Sequence, residues 1–268
     1  MSERFERWND HSCKVKDNQE DTLLNCDVLE GLSEIETDSI DCIITSPPYW
    51  KGFEYEAYFN SYHQYLKWCT IWLKELKRVL SPYGTFYLNL ANDSETTIRV
   101  NEILNICNDL MFKLHDTIVW YCYNRQPANT TRQLTNQTEY ILMLRNTSAN
   151  IVLNKKDAYK YHEDIFKTKN VGNVWEIPFN KGDKISFAKK ETKSKWGHSG
   201  FPQALTDTCI LLSTKPHDTV LDCFMGSGTT GISCKNLNRK FIGIELNKEI
   251  YDIAKQRINE AKAQRRLI

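Results

Sequence analysis

No stretch of this 268-residue chain approaches 18 consecutive apolar residues, and its opening MSERFERWND has no apolar core. These absences exclude a membrane-spanning helix and a signal segment, so a soluble, cytoplasmic protein with no membrane partner is expected. No C-x-x-C pair occurs among the nine cysteines, which removes a zinc ribbon and argues against a disulfide framework. The thiols are expected to be reduced, mostly small core residues, and no metal is expected. There is no internal repeat and no low-complexity run. Charge of either sign is nearly absent in sum, +1 overall, but unevenly spread: residues 124–198 hold 14 Lys and Arg against 7 Asp and Glu, net +7, leaving about −6 elsewhere. A locally basic region on a near-neutral body suits a polyanion.

What is present alternates between strand and helix at both ends. Ser39 to Thr45 is a short β-branched apolar run stopped by SPP, read as a buried strand. From Tyr62 to Leu80 apolar residues recur every three and four, a helix that SPYG is expected to end. GTFYLNL follows as a strand, Asn101 to Met111 as a helix, DTIVWYCY as a strand and Glu139 to Asn146 as another. Between Thr147 and Gly197 the periodicity fails; only NVWEIPF has strand character, and the stretch reads as an inserted or appended module. Order returns with the helix FPQALTDTCILLS, Pro202 in its first turn. Then come strand TVLDCF, a glycine loop, a helix from Thr229 to about Leu237, strand KFIGIEL, and a last helix capped by Asn247. Strands alternating with crossover helices predict a doubly wound, mainly parallel α/β sheet.

The glycine loop DCFMGSGTTG holds Gly226, Gly228 and Gly231 in the G-x-G-x-x-G spacing of a nucleotide-binding turn. Glycines admit close backbone approach, and the following helix offers unpaired N–H groups and a positive dipole end. Glu245, 19 residues after Gly226, ends the next strand where a carboxylate would accept both ribose hydroxyls. That pair fits NAD, FAD and S-adenosylmethionine alike. Yet only 37 residues follow Gly231, too few to finish a sheet, so the missing strands must come from the N-terminal half in a permuted order.

TSPPYW, Thr45 to Trp50, ends the Ser39 to Thr45 strand. Pro47 and Pro48 fix φ and remove two donors, leaving rigid carbonyls between the Ser46 hydroxyl and the Tyr49 ring. Such a loop can hold an exocyclic amine between Ser46 and the Pro47 carbonyl while Tyr49 stacks on the base.

TSPPYW, then HSGFPQAL (His198 to Leu205), DCFMGSGTTG and FIGIEL together resemble the amino-methyltransferases of DNA in the permuted, β-type arrangement. The resemblance runs from about Leu23 to Lys262, apart from Thr147 to Gly197. It implies a Rossmann-like methyltransferase core, with a catalytic half over 1–123, a target-recognition region over 124–197 and a cofactor half over 198–268. It implies S-adenosylmethionine as cofactor and DNA as partner, and leaves open a companion restriction endonuclease and whether the protein is a monomer or a dimer. By position, Asp27 in LLNCDVLEGL would serve the cofactor's adenine and Glu245 its ribose. Asp222, Phe224, Gly226, Ser227, Gly228 and Thr229 would surround the methionine and adenosine portions, with Phe201 and Pro202 closing over the methionine end. Thr45 and His198 complete the implied cofactor set. The family often has Asp-Pro-Phe where this chain has Asp222-Cys223-Phe224; the Asp and Phe remain, and Cys223 reads as structural.

The implied chemistry is direct transfer of an electrophilic methyl to an aligned amine of a flipped base, without a covalent intermediate. Cytosine C5 methylation would need a thiolate, usually in Pro-Cys, and none of the seven prolines precedes Cys. Within the family Ser at the position of Ser46 accompanies cytosine N4 methylation more often, Asp adenine N6 methylation; cytosine N4 is therefore expected, adenine N6 being the alternative. Arg125 and Arg132 are expected to read base edges, and Lys189, Lys190 and Lys193 to meet phosphates. An NAD-dependent dehydrogenase leaves TSPPYW without a role, and a zinc deaminase lacks its H-x-E and P-C-x-x-C. A non-catalytic DNA-binding module stays open as a distant alternative.

Overall fold

The structure, a computed structural model, describes residues 21–50, 59–91, 97–125, 134–147, 152–166, 170–179 and 201–261. The first half gives β1 (Asp21–Leu24), α1 (Val28–Ser33), β2 (Ile40–Thr45), α2 (Tyr62–Val79), β3 (Leu80–Ala91), α3 (Thr97–Asp109), β4 (Lys113–Tyr121) and β5 (Thr138–Arg145). There follow α4 (Lys155–Tyr161), β6 (Val174–Glu176), α5 (Gln203–Ser213), β7 (Thr219–Asp222), α6 (Thr229–Asn236), β8 (Lys240–Ile244) and α7 (Lys248–Glu260). Among the described residues the strands form one sheet in the order β1-β8-β7-β2-β3-β5-β4-β6. Only β5 runs against its neighbours, β3 and β4; every other pairing is parallel.

Helices cover both faces. Val28 and Leu32 of α1, Trp72 and Leu76 of α2 and Ile103 of α3 pack against Ile43, Phe86 and Leu88 on one side. Ala158 of α4, Cys209 and Ile210 of α5, Cys234 of α6 and Ile258 of α7 pack against Ile44, Tyr87, Ile141 and Val220 on the other. β2 is thus sandwiched, and its near-continuous apolar run is what a doubly covered parallel strand requires. The Rossmann-like α/β expectation holds. From β7 the chain steps outward to β8, beside which β1 forms the edge, and from β2 it steps the other way to β3, so the winding reverses between β7 and β2.

Local departures from the expected elements have local causes. α2 stops at Val79, ahead of SPYG as expected, but the strand begins earlier than GTFYLNL: β3 runs through SPYG with a register shift between Ile40↔Leu80 and Cys42↔Thr85. Pro82 needs no ladder donor in such an irregularity. β1, four residues long, and α1, six, are too short to show a period, and α4 stands on an Asn154 cap rather than an apolar stripe. Pro202 is the N-cap of α5, one residue outside the helix. β5 and β6 both fall within 124–197 and are hydrogen-bonded into the sheet. Among the described residues seven cysteines are free and buried. Among the described residues no helix is long and apolar enough to cross a membrane.

Candidate active site

The β7–β2 reversal is where an open α/β sheet forms a ligand crevice, outside the carboxyl ends of its strands. β7 ends in Asp222 and the glycine loop, and β2 ends in Thr45 and the proline loop. The two are joined directly: Thr45 Oγ1 donates to Asp222 Oδ1 at 2.8 Å, across 177 residues of chain. Asp222 is buried and accepts also from Thr230 Oγ1 (2.7 Å, on Oδ2) and from the Phe224 N–H (3.2 Å). Burial pushes its pKa up to about 6, against the pull of these three donors.

Three glycines do three jobs. Gly226 has φ +51°, and a Cβ built there would meet nothing within 4 Å, so its Cα borders open space. Gly228, φ +83°, is the N-cap of α6, a left-handed position that favours glycine. At Gly231 a Cβ would come within 2.5 Å of Ile258 Cδ1 and 2.7 Å of Phe241, so α6 lies close on β8 and α7 only because nothing is there. Arg257 of α7 steadies the turn, donating from Nη1 to the Ser227 carbonyl (2.7 Å) and hydroxyl (2.8 Å).

Glu245 follows β8. Its Oε2 accepts from the Gly226 N–H (3.1 Å) and its Oε1 from the Asn247 N–H (2.8 Å). Burial raises its pKa and the two amides moderate the rise. Asp27 caps α1, accepting from the Leu29 N–H (2.8 Å). Neighbouring Asn25 donates to the Glu245 carbonyl (2.8 Å), tying the end of β1 to that of β8. Asp27, Glu245, Asp222 and Thr45 thus lie at or just beyond the carboxyl ends of four consecutive strands. Phe224 packs edge-on against Trp72 of α2. Cys223 is buried, and its thiol donates to Thr45 Oγ1 (3.7 Å); burial pushes its pKa well up, as for a structural thiol. Phe201 and Pro202 lead into α5, whose Thr206 hydroxyl bonds that of Ser233 in α6 (2.6 Å), so both helix N-termini lie at this edge.

On the other side of the crevice, the Ser46 and Tyr49 hydroxyls are hydrogen-bonded to each other. Tyr65 of α2 donates to the Pro48 carbonyl (2.7 Å). Among the described residues no donor reaches the Pro47 carbonyl. Trp50 adopts φ +55°, uncommon for a bulky residue, and stacks on Tyr65 with ring centroids 6.1 Å apart. Phe59 and Trp68 extend this aromatic bed.

The sequence did not announce what lies beneath Tyr49. Asn89 Nδ2 donates to the Tyr49 hydroxyl (3.0 Å) and to Glu139 Oε2 (2.7 Å), and Glu139 is ion-paired with Arg125. A signal existed: Asn in the apolar YLNL, between buried Leu88 and Leu90, and Glu opening EYILML, ahead of the buried run Ile141–Arg145, are polar residues in largely apolar strands. Arg125, expected at base edges, is engaged there, its guanidinium carbon 6.0 Å from the Trp120 ring centroid. His198, Arg132, Lys189, Lys190 and Lys193 lie outside the described residues.

Comparison with known proteins agrees with this geometry. A family model described as DNA methylase, covering N6 and N4 methyltransferases, matches residues 40–256. The chain is 32% identical over 244 residues to the type II methyltransferase M.HpaI of Haemophilus parainfluenzae, covering 88% of this chain and 74% of that protein. The solved complex of M1.HpyAVI with SAM is 27% identical, with a TM-score of 0.61, covering 88% of this chain and 99% of that one. The PvuII DNA methyltransferase, described as cytosine-N4-specific, superposes with a TM-score of 0.72 at 20% identity over 94% of this chain and 90% of its own; at that identity the likeness is one of fold.

Proposed function

Because this chain belongs to the DNA methylase family of N6 and N4 amino-methyltransferases, we propose that it methylates the exocyclic N4 amine of cytosine in DNA. S-adenosylmethionine is the cofactor, and its sulfonium supplies an electrophilic methyl group. The glycine-loop side fits such a guest: open space beside Gly226, first-turn N–H groups of α6, and carboxylates at the strand ends that suit hydroxyls and an amine. Asp222 and Glu245 hold the loop through N–H and hydroxyl donors, and Glu245 faces the ribose. Asp27, Thr45, His198, Phe201, Pro202, Phe224, Ser227, Gly228 and Thr229 complete that pocket.

On the proline side, Ser46 and the Pro47 carbonyl hold the amine while Tyr49 stacks on the flipped ring. The single observation behind the N4 assignment is Ser46 itself, at the end of β2 beside Asp222's strand, where adenine-modifying members of the family usually carry Asp. Both bases present an amine beside a ring-nitrogen acceptor, so residue identity, not geometry, carries the choice. Target recognition belongs to 124–197, with Arg132 reading base edges and Lys189, Lys190 and Lys193 on phosphates; a companion endonuclease would cleave the unmethylated site.

The test is incubation with labelled S-adenosylmethionine and mixed-sequence DNA, digestion to nucleosides and mass analysis. N4-methylcytosine is expected. N6-methyladenine alone would overturn the choice of base and keep amine transfer, whereas 5-methylcytosine would sink both.

A further inference from the structure

Asn89 is 3% exposed and Glu139 6%, and both sit on sheet strands at the carboxyl edge of β3 and the adjoining start of β5. A carboxylate accepts only, so the Asn89 amide must turn its nitrogen toward Glu139 Oε2, 2.7 Å away. The second amide hydrogen then goes to the Tyr49 hydroxyl at 3.0 Å. Both donors are spent, and Asn89 Oδ1 is left buried with no partner among the described residues. Arg125, arriving from the end of β4, engages the other carboxylate oxygen. Four segments thus converge: the proline loop, β3, β5 and the residues after β4.

An apolar cluster of the same shape would serve the fold as well, because burying an ion pair and an amide among strands gains little stability. What this arrangement adds is direction, since it ends on a hydroxyl whose neighbour is Ser46. We propose that Asn89, Glu139 and Arg125 are positioning residues that fix the Tyr49 hydroxyl, and through it Ser46, in the geometry that receives the target amine. They touch neither substrate nor cofactor. The unpartnered Asn89 oxygen is a consequence: the amide is oriented by Tyr49 and Glu139 at the expense of its own acceptor. Arg125 also links the loop to the segment that enters the region assigned to target recognition. Its loss should therefore slow transfer at an unchanged DNA site. The proposal rests on the proline loop being the amine-holding side of the crevice.

The test is a double-mutant cycle read by single-turnover methyl transfer at saturating cofactor and DNA. Asn89→Leu is expected to slow transfer about ten- to a hundredfold, the scale of a small misplacement of reacting atoms, with cofactor and DNA affinities within about twofold of wild type. Tyr49→Phe removes the hydroxyl that Asn89 holds, so the pair together should be no slower than the slower single variant. Multiplied losses would overturn the proposal, as would wild-type turnover in folded Asn89→Leu. Should Asn89→Leu fail to fold, near-isosteric Glu139→Gln keeps an acceptor for Asn89 and removes the charge facing Arg125. A loss of about tenfold is expected there, and a wild-type rate in the folded protein refutes the assignment. Arg125→Lys should methylate the same site more slowly; a relaxed recognition sequence would make Arg125 a base reader instead. Failure of the wild-type protein to methylate any amine would strike the proposed function, leaving these comparisons unneeded.

Discussion

The two walls of the crevice are built by opposite means. The glycine side is held largely through its backbone: the Gly226 N–H bonds Glu245, the Phe224 N–H bonds Asp222, the Ser227 carbonyl accepts from Arg257, and the Asn247 N–H completes Glu245. The proline side is stiff in sequence but oriented by side chains of other elements: Tyr65 of α2, Asn89 of β3 at 40 residues, and Glu139 of β5 at 50 further on. Backbone hydrogen bonding makes a general nucleotide cradle, whereas a chain of side chains sets the aim of a particular reacting group. Thr45 belongs to both, through its bond to Asp222.

The contrast can be broken most strongly at Asp222. A buried acid with pKa raised from 3.8 to about 6 binds its proton more tightly folded than unfolded. Its contribution is full below about pH 4 and is lost as pH rises through 6, about 3 kcal/mol for a shift of two units. Asp222→Asn should remove that fall, measured as the difference in unfolding free energy between wild type and variant from pH 4 to 7. A parallel pair of curves would mean that its hydrogen bonds outweigh burial.

Next in size is Gly231→Val, which overfills the contact with Ile258 and Phe241 and should cost about 2 kcal/mol in denaturant unfolding. Gly226→Ala tests the neighbouring glycine: backbone strain of about 1 kcal/mol, but a cofactor affinity lowered severalfold in titration calorimetry, since the new methyl faces open space. Equal effects on stability would erase the division between packing and binding glycines. Smallest is Tyr65→Phe, which leaves the Pro48 carbonyl without its donor and should cost about 1 kcal/mol, with a slower methyl-transfer rate and unchanged cofactor affinity. A change in cofactor affinity instead would show that the walls are not independent.

The same contrast explains what could be read from the sequence. Long periodic elements such as α2, and strands bounded by turn residues such as β2, are written in contiguous residues, and so are both loops, because their motifs act through the backbone. The permuted order followed from counting the residues left after Gly231. Asn89, Glu139 and Tyr65 were hidden because their role exists only once β3, β5 and α2 are adjacent, and no spacing along the chain encodes that adjacency. The run of β3 through SPYG was hidden likewise, since Pro and Gly signal a turn until a bulge opposite β2 accommodates them.

The bond between Thr45 and Asp222 spans 177 residues, and it has a consequence for synthesis on the ribosome. β2 finds β3 soon after both emerge, but its second edge, unpaired in a largely apolar strand, stays bare until β7 is translated. At roughly 5–20 residues per second that interval is of the order of ten to thirty-five seconds. During it the nascent protein offers an adhesive strand to any neighbour, so slowing elongation between the two segments should raise the yield of insoluble product while leaving the finished fold unchanged.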